Sequence, residues 1–337
     1  MSDVGELYER LAAAASLESE DAAIRVNATY EPIGGWGDKV SPPTYPRRPD
    51  QNGMDPPYLM ERRYLDGELT EVALLDSRQS QANRCEEALQ DEIDAGRLEL
   101  PHLALRAESH GVPIRITSLQ APHRSRDAYF RDAQIDQTPF DATPVGDALR
   151  GVRPEDATSL YRHSPPDLVY GVWDSHRGLR LATRFARVYT SEMVAWGAER
   201  GWRAAGRFDL VVSGATKVTG GNDDWEPADR APKGTKTGKA SELGHGSIPP
   251  SQTSRDGRNR DVAAPGGVAA TRITRSASLS FGGLARLRFG SADRDKARAA
   301  RAVLAAMALL GDRLAFGRPN LFLRSGCDLV LEQESVS

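Results

Sequence analysis

The stretch Arg162–Glu192, RHSPPDLVYGVWDSHRGLRLATRFARVYTSE, decides how the rest of the chain is read. It starts in a turn at His163, Ser164, Pro165 and Pro166 and then runs apolar from Leu168 to Trp173. Asp174, Ser175 and Gly178 predict a second turn. Beyond it Arg184, Phe185, Arg187, Val188 and Tyr189 nearly alternate, so apolar and basic side chains of a strand point to opposite faces. The stretch therefore predicts a hairpin with one wet, positive side. Such a face suits a phosphate backbone better than a small metabolite.

Working outward, 3–15 predicts a short helix with Leu7 and Leu11 on one face, and 22–32 alternates as a strand through Ile24, Val26, Ala28 and Tyr30. Residues 34–57 are rich in Gly and Pro, an aperiodic loop of a length that predicts contact with a partner or RNA. Strands at 58–64 and 69–75 are joined by Asp66 and Gly67. The second ends in LLDS and leads into a helix at 78–95, with Cys85, Ala88, Leu89 and Ile93 inward and Glu86, Glu87, Asp91 and Glu92 towards water. Short strands follow at 103–106 and 113–116, and helical pieces at 144–162, the second opened by Pro154 and Glu155.

After Glu192 the strand continues through MVAWGA, and FDLVVS at 208–213 reads as another. Residues 220–267 have the composition of a linker, but their place between two strands predicts a long loop or extended hairpin. Residues 268–281 alternate, with Arg272, Arg275, Arg286 and Arg288 making one side of that region basic. A helix at 292–315 is expected to face Val303, Leu304, Met307, Leu310 and Leu314 inward and Arg294, Lys296, Arg298 and Arg301 outward. Strands at 321–323 and 328–332 close the sheet.

The formal net charge of −3 over 337 residues hides an uneven distribution. Residues 1–100 hold 21 acidic and 10 basic side chains, whereas 230–290 hold 3 acidic and 11 basic, which leaves one surface able to bind nucleic acid. The two cysteines, Cys85 and Cys327, lack metal-ligand spacing and read as packed, reduced thiols. No apolar run reaches the roughly 20 residues a membrane span needs, so a cytoplasmic protein is expected. There is no GxxxxGK[ST] loop, no GxGxxG after a strand and no HExxH or Cys/His cluster, and no cofactor or metal is expected.

Two segments carry polar groups suited to RNA. At the start of the 78–95 helix, Ser77, Gln79, Ser80, Gln81, Asn83 and Arg84 either dock a phosphate at the positive helix end or form a plain N-cap with solvated neighbours. In APHRSRDAYFRD, Arg124, Arg126 and Arg131 interleave with Tyr129 and Phe130. These either neutralise phosphates and stack bases, or belong to an amphipathic helix whose aromatics are core.

The phrases HSPPDLVYGVWDS and RVYTSEM, with DSRQSQANRCEEAL before them and KASELGHGSIPP and GGV after, resemble the backbone subunit of the type I-G (formerly I-U) CRISPR Cascade complex. That subunit belongs to the Cas-seven branch of the repeat-associated RNA-binding (RAMP) superfamily, and the matching phrases span about three quarters of the chain. The resemblance implies an α+β fold, with a ferredoxin-like or RRM-like βαββαβ core swollen into palm, thumb, finger and web. Residues 1–337 would form one elaborated domain, with insertions at about 33–57, 97–162 and 218–267.

It also implies a non-catalytic role in antiviral defence. Copies would polymerise in a helical filament along the spacer of the CRISPR guide RNA and present it for pairing with the target DNA strand. The other partners would be the large subunit and a Cas-five/Cas-six-type subunit. The grip on RNA is assigned to the Ser77–Arg84 segment, to Arg124 and Arg126, and to Arg162, His163, Ser164 and Arg187 of the central stretch. Lys217, Lys233, Lys236, Lys239, Arg272 and Arg275 complete it. The alternatives are a metal-independent guide-processing ribonuclease using His163 or His245, a general single-stranded RNA binder, and a purely structural assembly protein.

Overall fold

Alternation in the segment Ala23–Pro32 (β1) turns Val26, Ala28 and Tyr30 inward and leaves Arg25 and Asn27 exposed. The remaining sheet strands are Met60–Leu65 (β2), Glu68–Asp76 (β3), Tyr189–Trp196 (β4), Arg272–Ser280 (β5), Asn320–Arg324 (β6) and Cys327–Val336 (β7). They form one seven-stranded sheet in the order β2-β3-β4-β5-β1-β7-β6, every neighbour antiparallel. This computed structural model describes residues 3–174, 183–208, 210, 215–217, 225–227, 247–255 and 261–337. The chain is an α+β protein.

Three longer helices accompany the sheet: Asp3–Ala14 (α1), Arg78–Asp94 (α2) and Arg294–Phe316 (α3). Ser77 caps α2 by accepting from the Ser80 amide, and Asp293 caps α3 by accepting from the Lys296 amide. Helix α2 packs on α3 and β4, and α1 packs on α3. The inward side chains Met193, Ile273, Leu279, Leu89 and Leu304 are fully buried between sheet and helices. Among the described residues the three long helices pack on that one face, and the rows of the opposite face can be read across the register. Arg25, Ser278 and Thr190 form one row, Asn27, Ser276 and Glu192 the next, and Thr29, Thr274 and Val194 a third.

Three long connections leave this frame. Residues 33–59 run from β1 to β2 and are tied to the chain itself: Val40 bridges Val268, and Arg47 donates to the Ala263 carbonyl at 3.3 Å. Residues 95–188 include a hairpin of Ala104–Ser109 with Val112–Thr117 and short helices at Pro144–Arg150, Thr158–His163 and Pro166–Tyr170. Residues 197–271 connect β4 to β5, and their described segments include the pairs Glu199–Trp202 with Pro265–Ala269 and Ala205–Arg207 with Ile248–Ser251. Most of 220–267, where a long loop or extended hairpin is expected, lies outside the described residues.

Several expectations are corrected. Leu168–Tyr170 is helical rather than strand, because Pro166 sits in the first turn of a helix and Gly171, at φ +86°, ends it. The hairpin is consequently short, Val172–Asp174 against Thr183–Phe185. Of the strand expected at 208–213, Phe208 and Leu210 are almost fully exposed, and 209 and 211–213 lie outside the described residues. The second helical piece opens at Thr158, with Pro154 and Glu155 in a turn. Leu7 is half exposed.

In α3 the buried stripe runs through Ala300, Leu304, Met307, Ala308 and Gly311, while Val303 and Leu310 are exposed and Arg301 is buried. Arg272 and Arg275 do not share a side, since three residues is an odd step on a strand of period two: Arg272 is exposed and Arg275 is fully buried. Glu86, expected in water, is 1% exposed.

Candidate nucleic-acid interface

Strand β3 delivers a buried carboxylate, Asp76, immediately before the Ser77 cap. The Asp76 carboxylate accepts from Gln81 Nε2 at 2.6 Å, Arg84 Nε at 2.9 Å and Arg324 Nη2 at 3.3 Å. Arg84 also donates to the Leu323 carbonyl at 3.0 Å. Helical spacing thus splits the predicted Ser/Gln segment. Gln81 and Arg84 turn inward and lock α2 to the sheet, whereas Gln79 and Asn83 are exposed and Ser77 and Ser80 are half-buried.

Gln81 belongs to a larger buried network. Its Oε1 accepts from Ser191 Oγ at 2.7 Å and from Arg275 Nε at 3.2 Å. Arg275 also donates to Ser191 Oγ at 3.0 Å, to the Tyr189 hydroxyl at 2.9 Å and to the Asp312 carboxylate. Its guanidinium carbon lies 3.8 Å from the centre of the Phe316 ring. Burial pushes the Asp312 carboxyl up, but Arg275, the Tyr189 hydroxyl and Arg313 together outweigh it and hold the group below the usual carboxylate range. This cation is part of the core and does not face RNA.

Arg124 is likewise withdrawn. It makes a two-pronged pair with Glu86 at 2.6 and 2.7 Å and donates to the Gly171 carbonyl at 2.9 Å, clamping α2 to the root of the hairpin. Arg126 is half-buried and donates to the Leu149 carbonyl. Ser164 is fully buried, with its Oγ 3.5 Å from Ser118 Oγ, and His163 is half-buried. Gln81, Arg84, Arg124, Ser164 and Arg275 therefore place polar groups on internal partners, and of the Arg275 donors Nη1 is buried without one among the described residues. Phe130 is core and Tyr129 is half exposed, as in the amphipathic alternative.

Burial pushes Glu86 up to about 7 against the pull of Arg124, and pushes Asp167 up to about 6 against the Ser125 hydrogen bonds and Arg124. Between about pH 4 and pH 7 the folded chain keeps protons on these carboxyls that the unfolded chain has released. Their contribution to stability falls as pH rises through that window. Glu86→Gln should lower stability overall, yet its urea midpoint should change less than the wild-type midpoint between about pH 5 and pH 8. An equal change would contradict this reading of Glu86.

The exposed candidates gather along one track. A groove of about 460 Å³ lies at the start of α2 beside the hairpin, lined by Gln79, His123, Trp173, Arg184, Phe185 and Arg187. Arg187 donates from Nε to the Tyr170 carbonyl at 3.2 Å and is otherwise exposed. Burial, then the neighbouring Arg124 and Arg78, lowers its pKa from the usual arginine value. Arg78, next to Gln79, opens onto a second depression of about 360 Å³ lined by Arg25, Asn27, Thr190, Glu192 and Ser278.

Asn27 and Ser276 lead on to a third depression of about 380 Å³, bordered by Thr29, Trp196, Arg272 and Thr274. The floor of the track is neutral and hydroxylated: Thr190 Oγ1 and Ser278 Oγ are 3.1 Å apart, and Trp196 Nε1 donates to Thr274 Oγ1 at 2.8 Å. Glu192, which lines the second depression, is covered by Arg63 at 2.6 Å and Arg78 at 3.8 Å. From Thr190 to Trp196 the track runs about 20 Å at the ordinary strand rise. Chemically it offers arginines for phosphates, hydroxyls and an amide for sugar and phosphate oxygens, and tryptophans for stacking.

Of the predicted set, Gln79 and Arg187 line the first depression and Arg272 the third. Arg162 is exposed but lines none of the three depressions. Lys217 sits in a short paired segment whose side chains are not described, and Lys233, Lys236, Lys239 and His245 lie outside the described residues. Sequence reasoning missed Arg25, Asn27, Arg78, Thr190, Trp196, Ser276 and Ser278. The signal was present: the outward positions Arg25, Asn27 and Thr29 of β1 and Arg272, Thr274, Ser276 and Ser278 of β5 are hydroxyls, an amide and arginines.

A sequence model of the family described as CRISPR-associated protein GSU0053 matches residues 24–200, just over half of the chain. The chain belongs to that family. The matched region of this CRISPR-associated protein runs from β1 past the end of β4 and so contains α2, the Arg124–Glu86 clamp, the hairpin and the groove. No curated protein matches the chain. No helix among the described residues is long and apolar enough to cross a membrane.

Proposed function

We propose that this CRISPR-associated chain is the backbone subunit of a type I-G (formerly I-U) Cascade effector, of the Cas-seven branch of the RAMP superfamily. It lies along the spacer of the guide RNA in several copies and presents the bases to the target DNA strand, beside the large subunit and a Cas-five/Cas-six-type subunit in the cytoplasm. The observation that carries this is the sheet face, lined by hydroxyls, Asn27, Trp196 and arginines and covered by none of the three long helices among the described residues, which meets the basic hairpin groove at Arg78 and Gln79. A surface of that kind holds a backbone without reading sequence, which is what a guide holder needs when base pairing does the reading.

The topology supports the same reading. Taken alone, β1, α2, β4, β5, α3 and β7 follow one another as β-α-β-β-α-β, and β4-β5-β1-β7 is the order that a ferredoxin-like core takes. The connection at 197–271 is the thumb in this proposal, braced at its root by the Tyr58 hydroxyl, which accepts from the Gly267 amide at 2.7 Å. Arg78, Arg184, Arg187 and Arg272 grip phosphates, Asn27, Thr190, Ser276 and Ser278 meet sugar and phosphate oxygens, and Trp173 and Trp196 stack on bases. The subunit performs no catalytic step.

The test is to express the protein with its neighbouring genes and a repeat-spacer array, purify it and extract the bound nucleic acid. RNA of one discrete guide length is expected. Nucleic-acid-free protein, or RNA of heterogeneous length and sequence, would overturn the proposal.

A further inference from the structure

Between the end of α1 and the start of α3 lies a cavity of about 1070 Å³. Four arginines border it: Arg288, Arg294, Arg298 and Arg301. Two of them have acidic partners, since Arg294 is 3.7 Å from Glu18 and Arg298 is 3.9 Å from Asp295. The other two have no carboxylate within ion-pair distance among the described residues. Arg301 is 4% exposed, donates from Nη2 to the Leu287 carbonyl at 3.1 Å and leaves its buried Nε without a partner. The Nε of Arg298 is buried and unpartnered as well.

A buried guanidinium with unused donors is costly unless an oxyanion completes it. Burial, then the nearby charge of Arg288, lowers the Arg301 pKa from the usual arginine value, and neither arginine has a carboxylate within ion-pair distance among the described residues. We propose that this cavity binds the phosphate group of a small molecule, the oxyanion bridging Arg301 and Arg288. The cavity size matches that of ordinary small-molecule sites, and Leu17, Phe289, Ala292 and Ala297 give it an apolar wall for the body of the ligand. A nucleic-acid strand is disfavoured, because Glu18, Asp21, Glu155 and Asp295 line the same cavity and repel flanking phosphodiesters.

The test is calorimetric titration of the full chain with inorganic phosphate, with adenosine monophosphate and with a single-stranded RNA lacking terminal phosphates. Arg301→Gln removes the central donor but also the cap on the Leu287 carbonyl. Arg288→Gln, at an exposed position, therefore serves as the second variant, and Arg10→Gln, exposed on α1 and outside the cavity lining, as the control. Saturable binding of either phosphate compound, weakened about tenfold or more by Arg288→Gln and less than about threefold by Arg10→Gln, is the expected result. Tighter binding of the nucleotide points to an organic phosphate, and equal binding to free phosphate. No binding up to about 10 mM, binding unchanged in Arg288→Gln, or displacement of phosphate by the RNA would each overturn the proposal.

Discussion

Replacing Arg275 with methionine should cost about 3–5 kcal/mol of folding free energy, because it leaves a buried carboxylate behind. Asp312 is 1% exposed and would lose its internal cation, while Gln81, Ser191 and Tyr189 would lose their shared donor. Arg313 cannot replace it: although it pairs with Asp312, it is partly exposed and also serves Glu334. In a domain whose whole stability is typically about 5–15 kcal/mol, the single substitution removes a large share. The double variant Arg275→Met with Asp312→Leu should recover part of the loss, since no charge is then stranded. Urea denaturation of the three proteins checks this. A cost of about 1 kcal/mol or less for Arg275→Met would show that the network is peripheral to the fold.

Neutralising the track should have an equally large effect on binding while sparing the fold. With Arg78, Arg184, Arg187 and Arg272 changed to glutamine, affinity for single-stranded RNA should fall about tenfold or more at moderate salt. The slope of log affinity against log salt should shrink by about 3, at about 0.7 for each phosphate no longer neutralised. Arg10 and Lys296 are exposed on the helices α1 and α3, and neutralising them should leave the slope unchanged. The four arginines make few internal contacts, so their replacement should shift the urea midpoint little. If the helix-side pair changed the slope as much as the track did, the open face would not be the binding surface.

The two experiments divide the arginines as the fold divides them, and that division was only partly legible in the sequence. Period-two alternation located β1 and β5, and period 3.6 located α2 and α3, because each element is long enough for its buried stripe to repeat. What alternation cannot say is whether an inward arginine has a partner waiting. Arg275 looks like one more positive charge beside Arg272 until Asp312, 37 residues later, is folded beneath it. Glu86 and Arg124 likewise read as solvated charges, since their pairing joins residues 38 positions apart.

The central stretch shows the limit from another side. Its hairpin exists, but prolines at 165 and 166 turned half of the apolar run into a helical turn, and Gly171 then redirected the chain. The open face was written in the sequence as Thr274, Ser276 and Ser278 alternating with Ile273, Ala277 and Leu279. Its meaning depended on the three long helices packing on the other face, which is a property of topology rather than of any one strand. The candidate residues fared accordingly. Exposed Gln79, Arg187 and Arg272 fell on the track, while the side chains best able to pair were drawn into the core.

The central claim is that copies of this chain accumulate along a guide. The measurement that tests it most directly is native mass spectrometry of the complex purified with repeat-spacer arrays of different spacer length. The account predicts that the number of copies of this chain rises in steps as the spacer is lengthened, with the other subunits constant. A copy number that stays fixed while the guide grows would contradict it.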